Sequence, residues 1–459
     1  MHQPTERPGG VILAAGKGTR MHSDCPKVLQ RILQEPLLRY VYKACHPLLG
    51  DDVITVVGHA ADAVKAAFPE HAHRFVEQPE QLGTGHALSC AWPAVQSAGY
   101  SHVLVINGDT PLVPAEVLRA FYESCLAQKA DIAFISLSLA DTGSLGLVLR
   151  DKGAVRAIVE AKDYDQALHG PKPSEVNAGI YCLARDAVTP LLPLLRNSNK
   201  SGEYYITDLV ALGLEKGLHV LALDHGDDPY LLGVNSPEEL VRSEEAARRA
   251  IVAGHQQAGV IIRAADSVRI GPDVSIAPGA DICGPCEIYG ASSIGQGARI
   301  ASHCRLDSAA VAKDVDMRSF CHVEKAVIGP GAIVGPYARL RPGAVLEEGS
   351  HVGNFVEMKQ ARLGKGAKAN HLTYLGDASV GAGANIGAGT ITCNYDGKNK
   401  HKTTIGDRAF IGSNSALVAP VTIGADALVG AGSVITSDVA DGQLALTRAP
   451  QQTRPRRKG

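Results

Sequence analysis

Two sets of residues in this sequence have the types and spacing that chemistry needs. The first is Gly16-Lys17-Gly18-Thr19-Arg20, which closes the apolar strand Val11 to Ala15 and is followed by Pro26-Lys27. A glycine-rich turn after a strand lets backbone amides approach phosphate oxygens, and Lys17, Arg20 and Lys27 add fixed charge. The GK[ST] ending of a Walker A loop is absent. Gly83-Thr84-Gly85 then opens the helical stretch His86 to Trp92, a second glycine turn suited to a base or ribose. The apolar strand His102 to Ile106 ends in Asn107-Gly108-Asp109-Thr110-Pro111. This puts the Asp109 carboxylate at the carboxyl end of a strand, where open α/β sheets bind ligands, and offers the hard oxygen that Mg²⁺ at a nucleotide phosphate requires. The competing role for Asp109 is a cap on the helix that follows Pro114.

The second set is Arg341, Lys359, His371, Tyr374, Asn385, Asn394 and Tyr395. Cations and amides of this kind can hold a sugar phosphate. His371 can take the proton of an attacking amine, because imidazole is the side chain that ordinarily titrates near neutral pH.

Different elements must position the two sets. Around the first, strands and helices alternate: Val53 to Val57, a helix around Ala60 to Ala67, Phe75 and Val76, then the Gln78 to Thr84 segment. That order predicts an α/β, Rossmann-like sheet. Around the second, aliphatic residues recur every sixth position, a period of neither helix nor simple strand. One run is Ile270, Ile276, Ile282, Ile288, Ile294, Ile300 and Leu306; a second is Ile328, Val334, Leu340, Leu346, Val352 and Met358; a third is Ile405, Ile411, Leu417, Ile423, Val429 and Ile435. Hexapeptide units of a parallel β-helix have this period, each giving one short strand and one corner, with one residue in six pointing inward. Glycine follows the aliphatic residue at Gly271, Gly295, Gly329, Gly353, Gly406, Gly412 and Gly424, where corners are expected to need a permissive backbone. The runs are out of phase, which predicts insertions near Ala312 to Val327 and Thr390 to Thr404. The crossover rule for parallel strands predicts a right-handed coil. Between the two regions, Ser236-Pro237-Glu238-Glu239 reads as a capping box that opens a charged helix to about Gly254, with Glu244, Glu245, Arg248 and Arg249 paired on a solvated face.

A chain of 459 residues predicts two or three domains, and 45 basic against 47 acidic residues gives no nucleic-acid surface over its bulk. Only the tail, Arg454, Arg456, Arg457 and Lys458, is basic. The polar stretch Met1 to Gly10 lacks the apolar core of a signal peptide and is expected to lie outside the fold, and no apolar run is long enough for membrane insertion. Ten cysteines without paired CxxC spacing, Cys283 and Cys286 included, read as thiols in a reducing, cytoplasmic setting.

Leu13-Ala14-Ala15-Gly16 with Gly18-Thr19-Arg20 and Pro26-Lys27 resembles the signature of sugar-phosphate nucleotidyltransferases. Three C-terminal segments, Gly353 to Lys359, Asn370 to Asp377 and Asn385 to Lys398, narrow the resemblance to bacterial bifunctional N-acetylglucosamine-1-phosphate uridyltransferase and glucosamine-1-phosphate acetyltransferase enzymes. It runs from about Val11 to Arg448. It implies a nucleotidyltransferase domain over 1–236, a helical linker over 237–258 and a left-handed β-helix acetyltransferase over 259–459, assembled as a homotrimer. The implied reactions are acetyl transfer from acetyl-CoA to glucosamine 1-phosphate, then uridylyl transfer from UTP with loss of pyrophosphate, supplying peptidoglycan and lipopolysaccharide precursors. In the first domain the resemblance implies nucleotide and sugar contacts at Leu13, Ala14, Ala15, Gly16, Lys27, Gln78, Gly83, Thr84, Asn107, Gly108, Asp109, Gly146, Glu160, Asn177 and Asn235. Arg20 and Lys27 act on the phosphates, and Asp109 and Asn235 hold Mg²⁺. In the second, His371 is the base, Arg341, Lys359, Tyr374 and Asn385 hold glucosamine 1-phosphate, and Ala388, Asn394, Tyr395, Ser413, Ala431 and Arg448 line the acetyl-CoA site between subunits. The segment Gly202 to Asp208 also matches the family. Asn107, Leu147 and Ala178 replace the family's usual tyrosine, arginine and threonine, and are expected at the edge of the sugar and nucleotide pocket. A single-activity nucleotidyltransferase with a β-helix spacer would lack His371 and Asn394, and a catalytically dead scaffold would lack Lys27 or Asp109.

Overall fold

The computed structural model describes residues 7–447 and 449–455, without the side chains of residues 72 and 73. The chain forms two compact units, one up to Glu245 and one from Ala246. In the first, nine strands make one mixed sheet: β1 (Pro8–Ala14), β2 (Val53–Val57), β3 (Phe75–Glu77), β4 (His102–Asn107), β5 (Ile132–Ser138), β6 (Leu147–Asp151), β7 (Ala154–Val159), β8 (Glu175–Ala184) and β9 (Val220–Asp224). The main order is β9-β5-β8-β4-β1-β2-β3, with β6 beside β8 and β7 beside β6. The near-continuous Val-Ile-Leu of β1, β2 and β4 suits strands buried on both faces, and these pair in parallel, Ala14 opposite Val57 and Leu13 opposite Asn107. Their carboxyl ends therefore share one edge. β8 runs antiparallel to both β4 and β5, which the strand and helix alternation does not show.

Helices cover both faces. Leu38 and Val41 of α1 (Leu37–Leu49) and Leu118 and Phe121 of α3 (Ala115–Gln128) pack in one core, while Ala87, Leu88 and Trp92 of α2 (Thr84–Ala98) pack in the other. The N-terminal expectation needs correction: β1 begins at Pro8, and Gly9 and Gly10 are buried in the sheet. A Cβ on Gly9 would collide with the Tyr100 ring, so glycine is required for close approach. Residues 1–6 lie outside the described residues, as do Arg456, Arg457 and Lys458 of the tail.

Helix α4 (Pro237–Gln257) opens as the capping residues predict, with Glu239 N donating to Ser236 Oγ at 3.2 Å. The return bond of the box goes elsewhere: Glu239 Oε2 accepts from Asn235 N at 2.6 Å. The charged face is also not as expected. Arg248 is only 2% exposed and donates to the carbonyls of Ala265 at 2.7 Å and Val268 at 3.5 Å, and Glu244 Oε2 accepts from Leu33 N at 3.0 Å.

The second unit is a three-sided parallel β-helix. Among the described residues its sides are sheets of eleven, ten and nine strands. Each strand pairs with the one a full coil later, as Ile282 with Ile300, Ile288 with Leu306 and Ile294 with Val311. Every aliphatic residue of the three hexad runs is buried in one continuous core. Burial on that scale, at roughly 25 cal/mol per Å² of apolar surface, offsets the entropy of ordering so many two-residue strands.

Two expectations about this unit are corrected. No loop is inserted between Ala312 and Val327: strands Asp316–Met317 and His322–Glu324 continue the coil, and buried Val311, Met317 and Val323 connect Leu306 to Ile328. The phase changes because the steps Leu306 to Val311 and Val323 to Ile328 are each one residue short. The glycines after the aliphatic residues do not take left-handed backbone either, since Gly329 and Gly353 are absent from the positive-φ residues. They are needed because the next coil is too close: a Cβ on Gly329 would sit 2.8 Å from the Glu347 backbone carbon. The insertion near Thr390 to Thr404 is present, with Tyr395 bridging to Lys400 in antiparallel fashion at its base.

Candidate active sites

At the carboxyl edge of β1 and β4 lies a cleft of about 620 Å³ lined by Leu13, Ala14, Ala15, Gly16, Lys27, Gln78, Gly83, Thr84, Asn107 and Asp109 among the expected residues. Lys17, Gly18 and Thr19 of the glycine turn line it as well, as does Glu203 of the Gly202 to Asp208 segment, and so do Val28, Gln81 and Ala87, to which motif reading gave no role. Gln81 could have been suspected from its place in the Gln78 to Thr84 segment. Buried Gln78 donates to Gly83 O at 3.0 Å, fixing the second glycine turn. Thr84 Oγ1 accepts from Ile206 N at 3.1 Å and Gly85 N donates to Tyr204 O at 2.8 Å, which seats the Gly202 to Asp208 segment against that turn.

Lys27 joins the phosphate-side groups. Its ammonium pairs with the Asp109 carboxylate and donates to Asn235 Oδ1 at 2.8 Å, and Arg20 Nη2 donates to the same Oδ1 at 2.9 Å. Gly108 N donates to Leu13 O at 2.9 Å, which holds the Asp109 turn on the end of β1. Val234 N donates to Asp109 O at 2.8 Å, and a side chain at Gly233 would press on Asp109 Oδ1 at 3.0 Å. Two hard oxygen donors thus converge on one cation. Asp109 does not cap the next helix, whose N-cap is Pro114.

Gly146, Glu160 and Asn177 form a second group in the same unit. Asn177 N donates to Gly146 O at 2.8 Å, a Cβ at Gly146 would press on Ile158 at 3.1 Å, and Asn177 Nδ2 donates to Tyr181 Oη at 2.7 Å. Burial pushes the Glu160 carboxyl above the usual carboxylate range against the bond it accepts from Thr207 Oγ1 at 3.1 Å, with Asp208 adding to the rise. Burial, with Asp163 nearby, pushes Asp208 up to about 6. Of the replaced positions, Asn107 lines the cleft. Leu147 and Ala178 are buried in the core, next in sequence to Gly146 and Asn177.

On the β-helix, one corner repeats coil after coil. Leu372 N donates to Asn354 O at 3.1 Å, Gly389 N to His371 O at 3.4 Å, Asn414 N to Ala388 O at 2.7 Å and Gly432 N to Ser413 O at 2.8 Å. Asn354, His371, Ala388, Ser413 and Ala431 therefore stack in one column. Asn354 and His371 are also in register as strand partners. The His371 ring meets Asn354 through Nδ1 and Oδ1 at 2.8 Å. With the amide oxygen accepting, Nδ1 carries the proton and Nε2 keeps its lone pair.

The adjoining sheet carries the charge. Arg341 Nη1 pairs with Glu357 Oε1 at 2.8 Å, and Glu357 is the register partner of Tyr374. Asp377 N donates to Lys359 O at 3.0 Å and the Asp377 carboxylate accepts from Asn394 Nδ2, so Lys359, Asp377 and Asn394 follow one another across coils. Neighbouring Lys400 above all holds the Lys359 ammonium below the usual lysine range, with smaller contributions from desolvation and Arg341. Lys400, returned by the insertion, was missed in the sequence; the alternating Lys398, Lys400 and Lys402 could have flagged it. Tyr395 is exposed on the same insertion, its Oη donating to Gly397 O at 2.7 Å. Asn385 is the register partner of Lys368, which begins the strand that ends in His371. Arg448 lies outside the described residues.

Family models match both units in part. The MobA-like NTP transferase domain matches residues 10–169, the GMPPB C-terminal domain residues 270–365 and the hexapeptide repeat of succinyl-transferase residues 402–437. Whole-chain relatives decide the matter. The bifunctional protein GlmU of Nitratidesulfovibrio vulgaris (strain DSM 19637 / Miyazaki F) is 62% identical over 450 residues, 98% of each chain. This chain belongs to the GlmU family. Similarity extends to the GlmU of Lawsonia intracellularis, 46% identical over 98% of each chain, and of Acinetobacter baumannii strain ACICU, 44% identical over 96% of each. As a GlmU-family enzyme the chain is a bifunctional transferase, built from a Rossmann-like nucleotidyltransferase domain and a left-handed β-helix. The crossover rule gives the wrong hand here, because two-residue strands joined by corners have neither the twist nor the crossover helix on which it rests.

Proposed function

We propose that each unit carries one of the two transferase activities through the residues described above. In the β-helix, the amine of glucosamine 1-phosphate attacks the thioester carbonyl of acetyl-CoA. His371 Nε2 takes the amine proton, the carbon–sulfur bond breaks and the CoA thiolate leaves. Arg341, Lys359 and Lys400 face the sugar phosphate, Tyr374 and Asn385 the sugar, and the column of Ala388, Ser413 and Ala431 the CoA, with Asn394, Tyr395 and Arg448. The observation that carries this reading is the His371–Asn354 pair beside the Arg341 and Lys359 cations. With Nδ1 donating to the amide, ring Nε2 is left to act as the base beside those cations.

In the sheet unit, a phosphate oxygen of N-acetylglucosamine 1-phosphate attacks the α-phosphorus of UTP and pyrophosphate leaves. Arg20, Lys17 and Lys27 offset the negative charge, and Glu160 and Asn177 hold the sugar. Asp109 and Asn235 fit Mg²⁺, because their oxygens already converge on a cation, the Lys27 ammonium. A site with one carboxylate and one amide oxygen suits an ion that takes its remaining ligands from water and phosphate. When bound, Mg²⁺ neutralises charge on the phosphates. Among the described residues no helix is long and apolar enough to cross a membrane, and all ten cysteines are free thiols, in keeping with cytoplasmic work. The active assembly is a homotrimer.

His371→Ala should abolish acetyl transfer and leave uridylyl transfer within about twofold, and Asp109→Ala should do the reverse. The readout is a coupled assay omitting glucosamine 1-phosphate, acetyl-CoA, UTP or Mg²⁺ in turn. Acetyl transfer surviving in His371→Ala would refute the base, and uridylyl transfer surviving in Asp109→Ala would refute the metal ligand.

A further inference from the structure

The insertion that returns Lys400 to the β-helix joins strand Ile391–Cys393 to strand Thr403–Ile405 and carries three exposed lysines, Lys398, Lys400 and Lys402. Of these, Lys400 is the one whose ammonium comes up against Lys359, and Arg341 adds a third positive charge nearby. A long, flexible lysine does not favour that place by itself. Like charges repel, and a solvated ammonium has many other conformations open to it. The backbone on either side of Lys400 must be fixed by another group.

That group is Asp396. Its Oδ1 accepts from Lys398 N at 2.8 Å and from Asn399 N at 2.7 Å, and its Oδ2 accepts from His401 Nε2 at 2.7 Å. These partners flank Lys400 on both sides. Asp396 N also donates to Asn399 O at 3.2 Å, and Tyr395 bridges to Lys400 across the hairpin. The bonds from the Asn399 amide, His401 and the Lys398 amide hold the Asp396 carboxyl well below the usual carboxylate range, so the acceptor stays ionised. The contacts then close on Lys359. His401 N donates to Asn394 O at 2.8 Å, Asn394 Nδ2 donates to the Asp377 carboxylate, and Asp377 N donates to Lys359 O at 3.0 Å. One network of hydrogen bonds therefore anchors both lysines.

We propose that Asp396 and His401 are positioning residues for acetyl transfer: their clasp holds Lys400 against Lys359 before an acceptor arrives, so that the acceptor's phosphate dianion meets two ammoniums already in place. This rests on the reading of the β-helix unit given above. A dianion between the two ammoniums turns a repulsive contact into charge-assisted hydrogen bonds. Ordering Lys400 in advance also removes that cost from binding. The clasp therefore acts on acceptor affinity and leaves the proton transfer at His371 as it is.

The test is steady-state acetyl transfer by the full-length Asp396→Ala, Asp396→Asn, His401→Gln and Lys400→Ala variants and the Asp396→Ala/Lys400→Ala double variant, with Lys398→Ala as control. Asp396→Ala should raise KM for glucosamine 1-phosphate about fivefold, with kcat, KM for acetyl-CoA and uridylyl transfer within about twofold of wild type. Asp396→Asn and His401→Gln can keep a hydrogen bond between positions 396 and 401 and should fall between Asp396→Ala and wild type. Lys400→Ala should raise KM at least as much as Asp396→Ala. The double variant should match Lys400→Ala within about twofold, because Asp396 acts through Lys400. Lys398→Ala removes a charge from the same insertion, leaves the backbone bond to Asp396, and should have the wild-type KM. Multiplied effects in the double variant would overturn the clasp, as would a Lys398→Ala defect equal to that of Asp396→Ala, or a rise confined to KM for acetyl-CoA. So would a raised KM in Lys400→Ala beside a wild-type KM in Asp396→Ala. Failure of the underlying reading looks different: Lys359→Ala and Lys400→Ala would then both leave KM for glucosamine 1-phosphate unchanged.

Discussion

Asn354 gives the sharpest test of the acetyl-transfer geometry. Its Oδ1 sits 2.8 Å from His371 Nδ1, and its backbone is bound into strand His351–Asn354 independently of the side chain. Asn354→Ala removes the acceptor and leaves the strand. While the ring is neutral this hydrogen bond is an ordinary one, worth about 0.5–1.5 kcal/mol; once the ring has taken the amine proton it becomes a bond to a charged group, worth about 1.5–3 kcal/mol. The difference, roughly 1–2 kcal/mol, is realised only as the proton moves, so kcat for acetyl transfer should fall about 5–30-fold. KM for glucosamine 1-phosphate should change little, because Arg341 and Lys359 are untouched. The assay is thiol release from acetyl-CoA at saturating substrates, with uridylyl transfer measured on the same preparation. A kcat within twofold of wild type, or a loss confined to KM, would refute the orienting role.

Two further outcomes concern stability. Gly329→Ala places a Cβ about 2.8 Å from the Glu347 backbone in the next coil and should cost about 1–3 kcal/mol, read as a lower denaturation midpoint; an unchanged midpoint would mean the coils are not packed that closely. Asp208, raised to about 6 by burial and Asp163, binds its proton more tightly folded than unfolded. Its contribution is therefore fully present near pH 4 and lost as pH rises through about 6. Asp208→Asn should raise the melting temperature relative to wild type at pH 8 and lose that advantage as pH falls through about 6 to below the unfolded carboxyl value near 3.8; an equal gain at both ends would refute the raised carboxyl.

The hexad runs of the β-helix were legible because a buried row at fixed period leaves a mark in sequence that no other arrangement makes. Where the coil drops a residue, after Leu306 and after Val323, the same mark reads as an insertion, since phase alone does not distinguish five residues from a loop. The glycines were found at the right places for the wrong reason: the close neighbour is a residue of the next coil, such as Glu347 against Gly329, invisible until the coils are stacked. In the sheet unit Asp109, Lys27 and the glycine turn fell where strand ends predict. The antiparallel β8 did not, because strand direction depends on connections rather than composition. Lys400 and Asn354 escaped for a shared reason: each acts through a residue far away in sequence, Lys359 and His371, and only register brings them together. Leu147 and Ala178 drew attention as departures from a family pattern, yet both are core residues, where a change of side chain alters packing before it alters recognition.

The hairpin of Tyr395 to Lys400 leaves the β-helix and returns without disturbing the register of the coils around it, since Ile391 still pairs with Ala416 and Ile405 with Ile423. Each coil answers only to its two neighbours, so such an excursion can be lengthened, shortened or exchanged with little penalty elsewhere. Acceptor choice in this kind of scaffold can therefore drift by loop replacement while the prism stays as it is, and grafting a foreign excursion at this one position is a direct way to redesign it.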